Sequence, residues 1–280
     1  MRARRSTSRT SSSRPSTERA ESLPDVHPTA CVEDGAILAD DVVIGPFAFV
    51  GREVKLGPRV EVGAHVTLLG RTHIGADCRI FPHACLGAEP QDRAFSGEST
   101  SLEIGERTQI REQVTIHVGT SLGGGCTRIG DDNYLMNGAH IGHDCQIGNH
   151  TIIASFCGLA GHARVDDFAV LGAYTGLHQH ARVGESVMAA GGSKLSLDAP
   201  PFAMVAGDRA RLVGLNSVGL RRRGFPPTTR REIKHAFHLI FRSKLRLEDA
   251  LARVDQESDG VPEVERLVSF LRKTERGFCR

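Results

Sequence analysis

The chain has 280 residues, a formal net charge of +2 and 40% hydrophobic residues, a composition typical of soluble globular proteins. No segment is apolar for long enough to cross a membrane or to act as a secretory signal. The seven cysteines form no CxxC pair and imply no disulfide framework, which fits a reducing, cytoplasmic compartment. Neither nucleic-acid binding nor stable membrane insertion is expected, and the near-neutral net charge conceals an uneven distribution of charge along the chain.

Residues 1–22 differ from the rest of the chain. They are rich in Arg, Ser and Thr and contain no Leu, Ile, Val or Phe. A segment that cannot bury apolar surface is predicted to be disordered. The composition fits an organellar transit peptide and equally a simple start-site extension of a bacterial protein.

A six-residue period begins after this tail. Four residues after most of the repeated aliphatic residues comes a small or β-branched one, such as Val42 or Ala48. This period is neither that of a helix nor that of a strand, and it is typical of a stacked solenoid, the hexapeptide parallel β-helix. Three hexapeptides close one triangular coil, so residues eighteen apart stack, and residues 26–200 hold about nine coils. The aliphatic positions before the first interruption are Val26, Val32, Leu38, Ile44, Val50, Leu56, Val62, Leu68, Ile74, Ile80 and Leu86.

Two segments interrupt the period. Residues 87–97 form an excursion across which the phase is kept, so the excursion is expected to replace coil segments. The phase continues through Ile104, Ile110, Ile116 and Leu122 and then slips by one residue within 119–128, which contains three consecutive glycines. Loops on a rigid scaffold often carry function. The first is therefore interpreted as a substrate loop and the second as an insertion, with plain surface variation the alternative for both.

The thirteen histidines concentrate in the late coils. In the repeat register Cys78, Cys145 and Cys157 take small inward slots and are predicted to be buried packing thiols. By the same register several histidines point outward, and Asp144, His162 and His180 stack on one face. The outward histidines are His140, His143, His162 and His178.

Three interpretations of this polar surface remain open from the residues alone. The histidines are solvent-exposed turn residues, or they bind a metal, which requires three converging imidazoles. Alternatively one of them is a general base oriented by a carboxylate. His143 beside Asp144 is the candidate pair for the last interpretation. Because neighbours on a strand point to opposite sides, their contact must use the turn.

The repeat stops after Pro200-Pro201. Thr229 and Glu232 have the spacing of a capping box at the start of a helix, and Pro262 begins a second helical pattern. The stretch 209–246 is strongly basic, with Glu232 its only acid, which indicates a polyanionic or phosphate-bearing partner or simply a solvated helical face. We therefore divide the chain into the tail 1–22, a β-helix domain 23–205 and a C-terminal helical domain 206–280.

Several segments carry a resemblance to a known family. The chain resembles the acyl-[acyl-carrier-protein]–UDP-N-acetylglucosamine O-acyltransferases, which catalyse the first step of lipid A biosynthesis. The resemblance covers residues 24–280 and implies a mainly β fold, a left-handed parallel β-helix of hexapeptide repeats followed by a small α-helical domain. The matching motifs are Ala139-His140-Ile141-Gly142-His143-Asp144-Cys145, Val26-His27-Pro28-Thr29-Ala30, Ile110-Arg111-Glu112-Gln113-Val114-Thr115-Ile116-His117 and Leu220-Arg221-Arg222-Arg223-Gly224-Phe225.

The resemblance also implies roles for individual residues. His143 is the expected general base for the sugar 3-hydroxyl, Asp144 orients it, and the backbone N–H of Gly161 faces the developing oxyanion. Gln91 and Asp92 match contacts to the glucosamine, and other positions match contacts to the nucleotide, the phosphates or the acyl chain. The further substrate-binding positions are His117, His140, His162, His178, Gln179, Met188, Gly191, Asn216, Arg222 and Arg223.

Two details bear on specificity. Met188 and Gly191 fall where the family measures acyl length, and a glycine there leaves the groove open, which predicts a chain longer than ten carbons. Family members often carry a lysine two positions after the Gln-Asp pair, where this chain has Ala94; Arg93 is a candidate replacement.

The resemblance further implies direct acyl transfer without a cofactor, a metal or a covalent enzyme intermediate. The implied partners are acyl carrier protein, UDP-N-acetylglucosamine and two further copies of the chain in a homotrimer, with the site between subunits. Three other hexapeptide-repeat functions are alternatives. They are a sugar N-acyltransferase, a metal-binding γ-carbonic-anhydrase-like scaffold and an acetyl-CoA-dependent sugar acetyltransferase.

Overall fold

The computed structural model describes residues 23–258 and 260–280, so the predicted disorder of residues 1–22 lies outside the described residues. Short parallel strands follow one another around three sheets, named A, B and C, and each strand pairs with the strand one coil away. Sheet B has nine strands, one for each coil expected from the period. The described chain therefore forms a parallel β-helix, as predicted.

Successive strands visit the sheets in turn, most of them only two residues long. Sheet A contains β1 (Asp25–Val26), β4 (Val43–Ile44), β7 (Glu61–Val62), β10 (Arg79–Ile80), β13 (Gln109–Ile110), β16 (Tyr134–Leu135), β19 (Ile152–Ile153), β22 (Val170–Leu171), β25 (Met188–Ala189), β27 (Ala203–Ala206) and β28 (Arg211–Leu215). Sheet B contains β2 (Cys31–Val32), β5 (Phe49–Val50), β8 (Thr67–Leu68), β11 (Cys85–Ala88), β14 (Thr115–His117), β17 (His140–Ile141), β20 (Gly158–Leu159), β23 (Gly176–Leu177) and β26 (Lys194–Leu195). Sheet C contains β3 (Ile37–Leu38), β6 (Lys55–Leu56), β9 (Arg71–Ile74), β12 (Ser101–Ile104), β15 (Cys126–Ile129), β18 (Gln146–Ile147), β21 (Arg164–Val165) and β24 (Arg182–Val183).

The period of six sorts inward from outward residues. Most of the repeated aliphatic residues and their small partners form one continuous buried core, which includes Cys78, Cys145 and Cys157 as predicted. Val26 on the first coil is exposed. The chain turns between sheets through a two-residue corner. The second corner residue often has a positive φ, as at Asp144 (58°) and His162 (61°). Side chains at equivalent corner positions lie on adjacent coils and form columns along the outside of the helix.

Both interruptions add residues to a coil. Ile74 pairs with Ile104, thirty residues away instead of eighteen, so the first excursion adds twelve residues (30 − 18) between β11 and β12. The expectation that it replaces coil segments is wrong, because an added length of two hexapeptides also preserves the phase. Ile104 pairs with Ile129, twenty-five residues away, so the second interruption adds seven (25 − 18). Leu122, expected in the inward column, lies in this loop and is 94% exposed.

The C-terminal part contains four helices in the described residues: α1 (Ser217–Arg222), α2 (Pro227–Phe241), α3 (Leu247–Glu257) and α4 (Pro262–Arg272). The capping-box prediction is wrong. Helix α2 begins at Pro227, where proline's fixed φ suits the first turn, and no side chain caps it. Helix α4 begins at Pro262 as predicted. The antiparallel hairpin β27–β28 extends sheet A, and its second strand, β28, lies in the part that was expected to be helical.

The helices pack on the end of the β-helix. Their buried residues form a second core around Leu220, Ile233 and Leu267, which Phe202 joins from the last coil. Arg182 on β24 connects the two parts, because its guanidinium pairs with Asp198 at 3.0 Å and donates to the backbone oxygen of Phe270 at 2.8 Å. None of the helices in residues 23–258 and 260–280 is long and apolar enough to span a membrane.

Candidate active site

The corner between sheets B and C carries two columns of polar residues on three consecutive coils. The first corner residues are His143, Gly161 and Gln179, and the second corner residues are Asp144, His162 and His180. The imidazoles of His162 and His180 stack with their centroids 4.4 Å apart, and the ring of His143 meets that of His162 edge-on at 5.0 Å. The predicted stack of Asp144, His162 and His180 therefore forms.

His143 and Asp144 make direct contact through the turn. His143 Nδ1 lies 2.8 Å from Asp144 Oδ2, and both side chains are largely buried, with exposures of 12% and 0%. Because the carboxylate accepts this hydrogen bond, the proton of the neutral imidazole lies on Nδ1. Nε2 then carries the lone pair, which is the arrangement a general base requires.

Two threonines hold Asp144, and sequence reasoning missed both. The backbone N–H of Thr120 donates to Asp144 Oδ1 at 2.9 Å, and its hydroxyl donates to Oδ2 at 2.7 Å. The Asp144 backbone N–H in turn donates to the hydroxyl of Thr127 at 2.8 Å. Both threonines belong to the second interruption and the strand after it. The phase slip at residues 119–128 was the available signal, and it identified a loop without indicating where the loop folds.

Gly161 lies directly beside the imidazole of His143. A Cβ atom at this position would lie 2.5 Å from His143 Cε1 and from Nε2, so only glycine leaves room for the ring. The coil geometry leaves the amide of a first corner residue outside the sheet ladder, which is why Pro46, Pro58 and Pro82 occupy equivalent positions. Among the described residues, no acceptor is found for the Gly161 N–H. This donor is therefore available close to Nε2.

A groove of about 430 Å³ runs along sheet B from this corner. His117 Nδ1 contacts the backbone oxygen of Glu89 at 2.6 Å, and His140 Nδ1 contacts the Thr115 hydroxyl at 2.9 Å. Gly158 contributes a flat stretch of wall, since a Cβ added there meets no atom within 4 Å. The groove lining is Gln91, His117, His140, Gly142, His143, Gly158, Leu159, Ala160, Gly161, Leu177 and Gln179.

Burial sets the protonation of this region. Burial and the neighbouring His117 lower the pKa of His140. Burial is also the largest cause of the lowered pKa of His162, against the opposing influence of Asp144. Both imidazoles are therefore neutral at neutral pH and present hydrogen-bonding groups without charge. Burial raises the pKa of the Cys145 thiol to about 12, which makes it an unreactive packing group.

The first interruption supplies Gln91 to the groove, as the resemblance implies. Asp92 lies in the same loop, where its Oδ1 accepts the backbone N–H of Ala94 at 3.0 Å and its charge acts on His162. Arg93, the candidate replacement for the missing lysine, is exposed. His178 is exposed and lies outside the groove lining, with Nδ1 3.0 Å from the backbone oxygen of Gln179.

Within one chain, a second group of the implied residues lies away from His143. Met188 belongs to β25 in sheet A, and Gly191 is an exposed residue of the turn that follows it. Asn216 caps helix α1 by accepting the Gly219 N–H at 3.0 Å, and Arg222 is exposed at the end of that helix. None of these four residues lines the groove around His143.

Arg223 is engaged within the chain. Its guanidinium pairs with Glu185 and lies 3.7 Å from the centroid of the Phe168 ring. Glu185 is buried and also pairs with Arg266 on α4. Arg223 therefore holds the helical part against the β-helix in the single chain, and it does not line the sheet B groove.

A metal-binding interpretation can be tested against the geometry. Among residues 23–258 and 260–280, only His143, Asp144 and His162 bring three donor atoms within 4.8 Å of one another. Two ligands on one tetrahedral zinc lie about 3.3 Å apart, given zinc–nitrogen bonds of about 2.0–2.1 Å. The 2.8 Å separation of His143 Nδ1 and Asp144 Oδ2 is that of a hydrogen bond, and Thr120 donates hydrogen bonds to both carboxylate oxygens. The donor set as arranged fits a hydrogen-bonded dyad better than a zinc site.

Comparison with known proteins agrees with this fold. A family model described as UDP-N-acetylglucosamine O-acyltransferase, domain 2, matches residues 198–279. A second, described as bacterial transferase hexapeptide (six repeats), matches residues 126–161 and so includes the His143–Asp144 pair.

Curated relatives match nearly the whole chain. An acyl-[acyl-carrier-protein]–UDP-N-acetylglucosamine O-acyltransferase of Thermodesulfovibrio yellowstonii is 44% identical over 258 residues, covering 92% of this chain and 100% of the relative. The enzyme of the same name from Thiobacillus denitrificans is 46% identical over 255 residues, covering 91% and 99%.

Solved structures extend the similarity to the fold. The UDP-N-acetylglucosamine acyltransferase of Campylobacter jejuni is similar with a TM-score of 0.87 and 39% identity, covering 91% of this chain and 99% of that one. The Arabidopsis UDP-N-acetylglucosamine acyltransferase is similar with a TM-score of 0.79 and 33% identity, covering 91% and 100%.

Proposed function

The chain belongs to the family of acyl-[acyl-carrier-protein]–UDP-N-acetylglucosamine O-acyltransferases, and from this premise we propose how its site catalyses the reaction. The protein is an acyltransferase with the left-handed β-helix of that family. It transfers an acyl chain from acyl carrier protein to UDP-N-acetylglucosamine, the first step of lipid A biosynthesis. The single observation that carries the mechanism is the hydrogen-bonded pair of His143 and Asp144 at the end of the sheet B groove.

His143 acts as the general base. Its Nε2 takes the proton from the 3-hydroxyl of the sugar as the hydroxyl oxygen attacks the thioester carbonyl. Asp144 keeps the other ring proton on Nδ1 and stabilises the imidazolium that forms. A positioned base of this kind typically contributes about 10²- to 10⁴-fold in rate.

Gly161 stabilises the tetrahedral intermediate. Its amide is close to His143 Nε2 and has no acceptor among the described residues, so it donates to the developing oxyanion without first giving up another bond. When the intermediate collapses, the carbon–sulfur bond breaks and the thiolate of the carrier leaves. That thiolate takes the proton held by His143, which returns the base to its neutral form.

The remaining implied residues fit a site completed by a neighbouring subunit. We assign His117, His140, His162 and Gln179 to the acceptor and the acyl chain from one subunit. Asn216, Arg222, Met188 and Gly191 then face the groove of the next subunit in a homotrimer. The stacked rings of Phe156 and Tyr174 are 47% and 66% exposed, and a subunit contact that covered them would remove this apolar surface from water. All seven cysteines are free thiols, as is usual in the cytoplasm, where we place the enzyme.

The test compares wild-type protein with His143→Ala, using UDP-N-acetylglucosamine and 3-hydroxyacyl carrier protein as substrates. We expect wild type to form an ester-linked product and the variant to lose about 10²- to 10⁴-fold in kcat with its unfolding temperature kept. Retention of activity within threefold would remove His143 from its role.

The same assay separates the alternatives. Acetyl-CoA in place of the carrier thioester supports turnover only in an acetyltransferase, and an amide product identifies an N-acyltransferase. Stoichiometric zinc in the purified protein identifies the γ-carbonic-anhydrase-like alternative. Donors of ten and fourteen carbons test the open groove expected at Gly191, for which the longer chain is the better substrate.

A further inference from the structure

The second interruption folds over the carboxylate of Asp144. Between β14 and β15 the chain forms a short 3-10 helix, Ser121–Gly123, capped by Thr120. The Thr120 hydroxyl accepts the Gly123 N–H at 3.1 Å, and its carbonyl oxygen accepts the Gly125 N–H at 2.8 Å. Thr120 is buried, with an exposure of 6%. The loop therefore fixes both the backbone and the hydroxyl of this residue.

The orientation of the hydroxyl follows from its partners. A hydroxyl has one proton, and its acceptor side is occupied by Gly123, so the proton is directed to Asp144 Oδ2. The Thr120 N–H holds the second carboxylate oxygen, Oδ1. Two donors from one residue thus grip both oxygens and fix the plane of the carboxylate.

Because the plane of the carboxylate is fixed, its orientation determines which histidine it accepts a hydrogen bond from. Asp144 Oδ2 lies 2.8 Å from His143 Nδ1 but 3.8 Å from His162 Nδ1. His162 is therefore a second imidazole within ion-pair distance of the same carboxylate oxygen. With both oxygens held, the carboxylate stays directed at His143.

The backbone of Gly123 also lies against the Asp144 carboxylate. A Cβ at this position would lie 2.0 Å from Asp144 Cγ, so the loop approaches the carboxylate as closely as a backbone can. We propose, on the basis of the proposed function, that Thr120 is a positioning residue: it directs Asp144 to His143 instead of His162 and so fixes the tautomer of the general base. The inserted loop is on this view part of the catalytic apparatus, although it does not itself touch the reacting atoms.

The chain offers a matched control. Thr151 donates its backbone N–H at 2.7 Å and its hydroxyl at 2.6 Å to Asn133 Oδ1. It is as buried as Thr120 and has the same kind of two-donor grip on a side-chain oxygen, but it lies at another corner, away from the histidines. Thr151→Val therefore measures the general effect of losing such a hydroxyl.

We expect Thr120→Val to lower kcat by about ten- to hundredfold, the usual effect of losing a hydrogen bond to a charged group, with KM for UDP-N-acetylglucosamine unchanged. Thr120→Ser restores the hydroxyl and is expected to keep kcat within threefold of wild type. Thr151→Val is expected to do the same. Equal kcat in Thr120→Val and Thr151→Val would overturn the proposal.

A proton resonance that can be measured without enzyme turnover tests this proposal independently of the proposed function. The Nδ1 proton of His143, hydrogen-bonded to a carboxylate, should give a far-downfield proton resonance that His143→Ala abolishes. Thr120→Val is expected to weaken or shift this resonance, and Thr151→Val to leave it in place. An inactive wild type with this pattern would contradict only the proposed function, and an unchanged resonance in Thr120→Val would contradict only the positioning role.

Gly123→Ala provides a second route should Thr120→Val fail to fold. The added methyl must displace the Asp144 carboxylate, so kcat should fall by at least tenfold, while Ser121→Ala in the same turn is exposed and should leave kcat unchanged. Wild-type kcat in a folded Gly123→Ala would contradict the proposal.

Discussion

Two columns of stacked rings on different corners of the β-helix have the same geometry and different surroundings. In the early coils Phe47, His65 and His83 stack between sheets A and B, with successive centroids 5.0 Å apart. In the late coils His162 and His180 stack between sheets B and C at 4.4 Å. All five residues have positive φ at the second corner position. Stacked histidines are therefore a product of the repeat, which places equivalent side chains one above another.

The two columns differ in the side chains that contact them. The early rings are exposed, and the described residues place no carboxylate in hydrogen-bond contact with His65 or His83. The late column begins with Asp144, which an inserted loop buries and directs at His143. The repeat supplies histidines at regular positions, and a departure from the repeat holds the carboxylate that contacts His143.

Among the variants that test the comparison of the two columns, Gly161→Ala at the late corner has the largest expected effect. In Gly161→Ala the added Cβ would lie 2.5 Å from His143 Nε2, so the imidazole must move by roughly an ångström. Misplacement of a catalytic group by that distance costs about a hundredfold in rate, and we expect kcat to fall accordingly. Steady-state kinetics on folded variant protein measures this loss.

Gly176→Ala is the control, because its added Cβ meets no atom within 4 Å. It lies in sheet B one coil beyond Gly158 and should keep kcat within threefold of wild type. Similar losses of kcat in the two variants would mean that any methyl group added on this face disturbs the enzyme, whether or not it contacts the His143 ring.

A smaller effect is expected when one ring is removed from each column and KM is compared. In His180→Ala, His162 loses the ring stacked on it, a contact of about 0.5–1.5 kcal/mol, so we expect KM for UDP-N-acetylglucosamine to rise about two- to tenfold. His83→Ala removes an equivalent ring from the early column and should leave KM and kcat unchanged. A rise in KM for His83→Ala, or none for His180→Ala, would show that the columns do not differ in function.

The coil architecture could be predicted from the sequence because one physical rule repeats. Each coil buries one aliphatic and one small residue per side, so burial alone fixes the phase of Leu86, Ile116 and Ile141. The same rule cannot distinguish an insertion of two hexapeptides from an uninterrupted coil, which is why the excursion after Leu86 was misinterpreted. Helix α2 starts at Pro227 because packing and proline's fixed φ outweigh the capping motif at Thr229.

The site was predictable only in part. The outward position of His143 and Asp144 follows from the register, and their contact follows from the left-handed corner at Asp144. Thr120 was not predictable, because it is a loop residue whose partner lies twenty-four positions away, whereas the repeat relates stacked residues that are eighteen apart. Positions such as Asn216 and Arg223 came from resemblance alone, and in a single chain they serve as a helix cap and an interdomain ion pair.

The smallest expected effect concerns pH and stability. Burial, together with His180 and His143, lowers the pKa of His162 from its ordinary 6.5, although Asp144 and Asp92 oppose this. Below pH 6.5 the unfolded chain therefore binds a proton that the folded chain does not, so stability falls as the pH falls through that window. We expect the unfolding temperature of wild type to drop more between pH 7.5 and 5.5 than that of His162→Gln, at one protein concentration. An equal drop would show that His162 does not remain neutral in the folded column, and the late corner would then differ from the early one by its carboxylate alone.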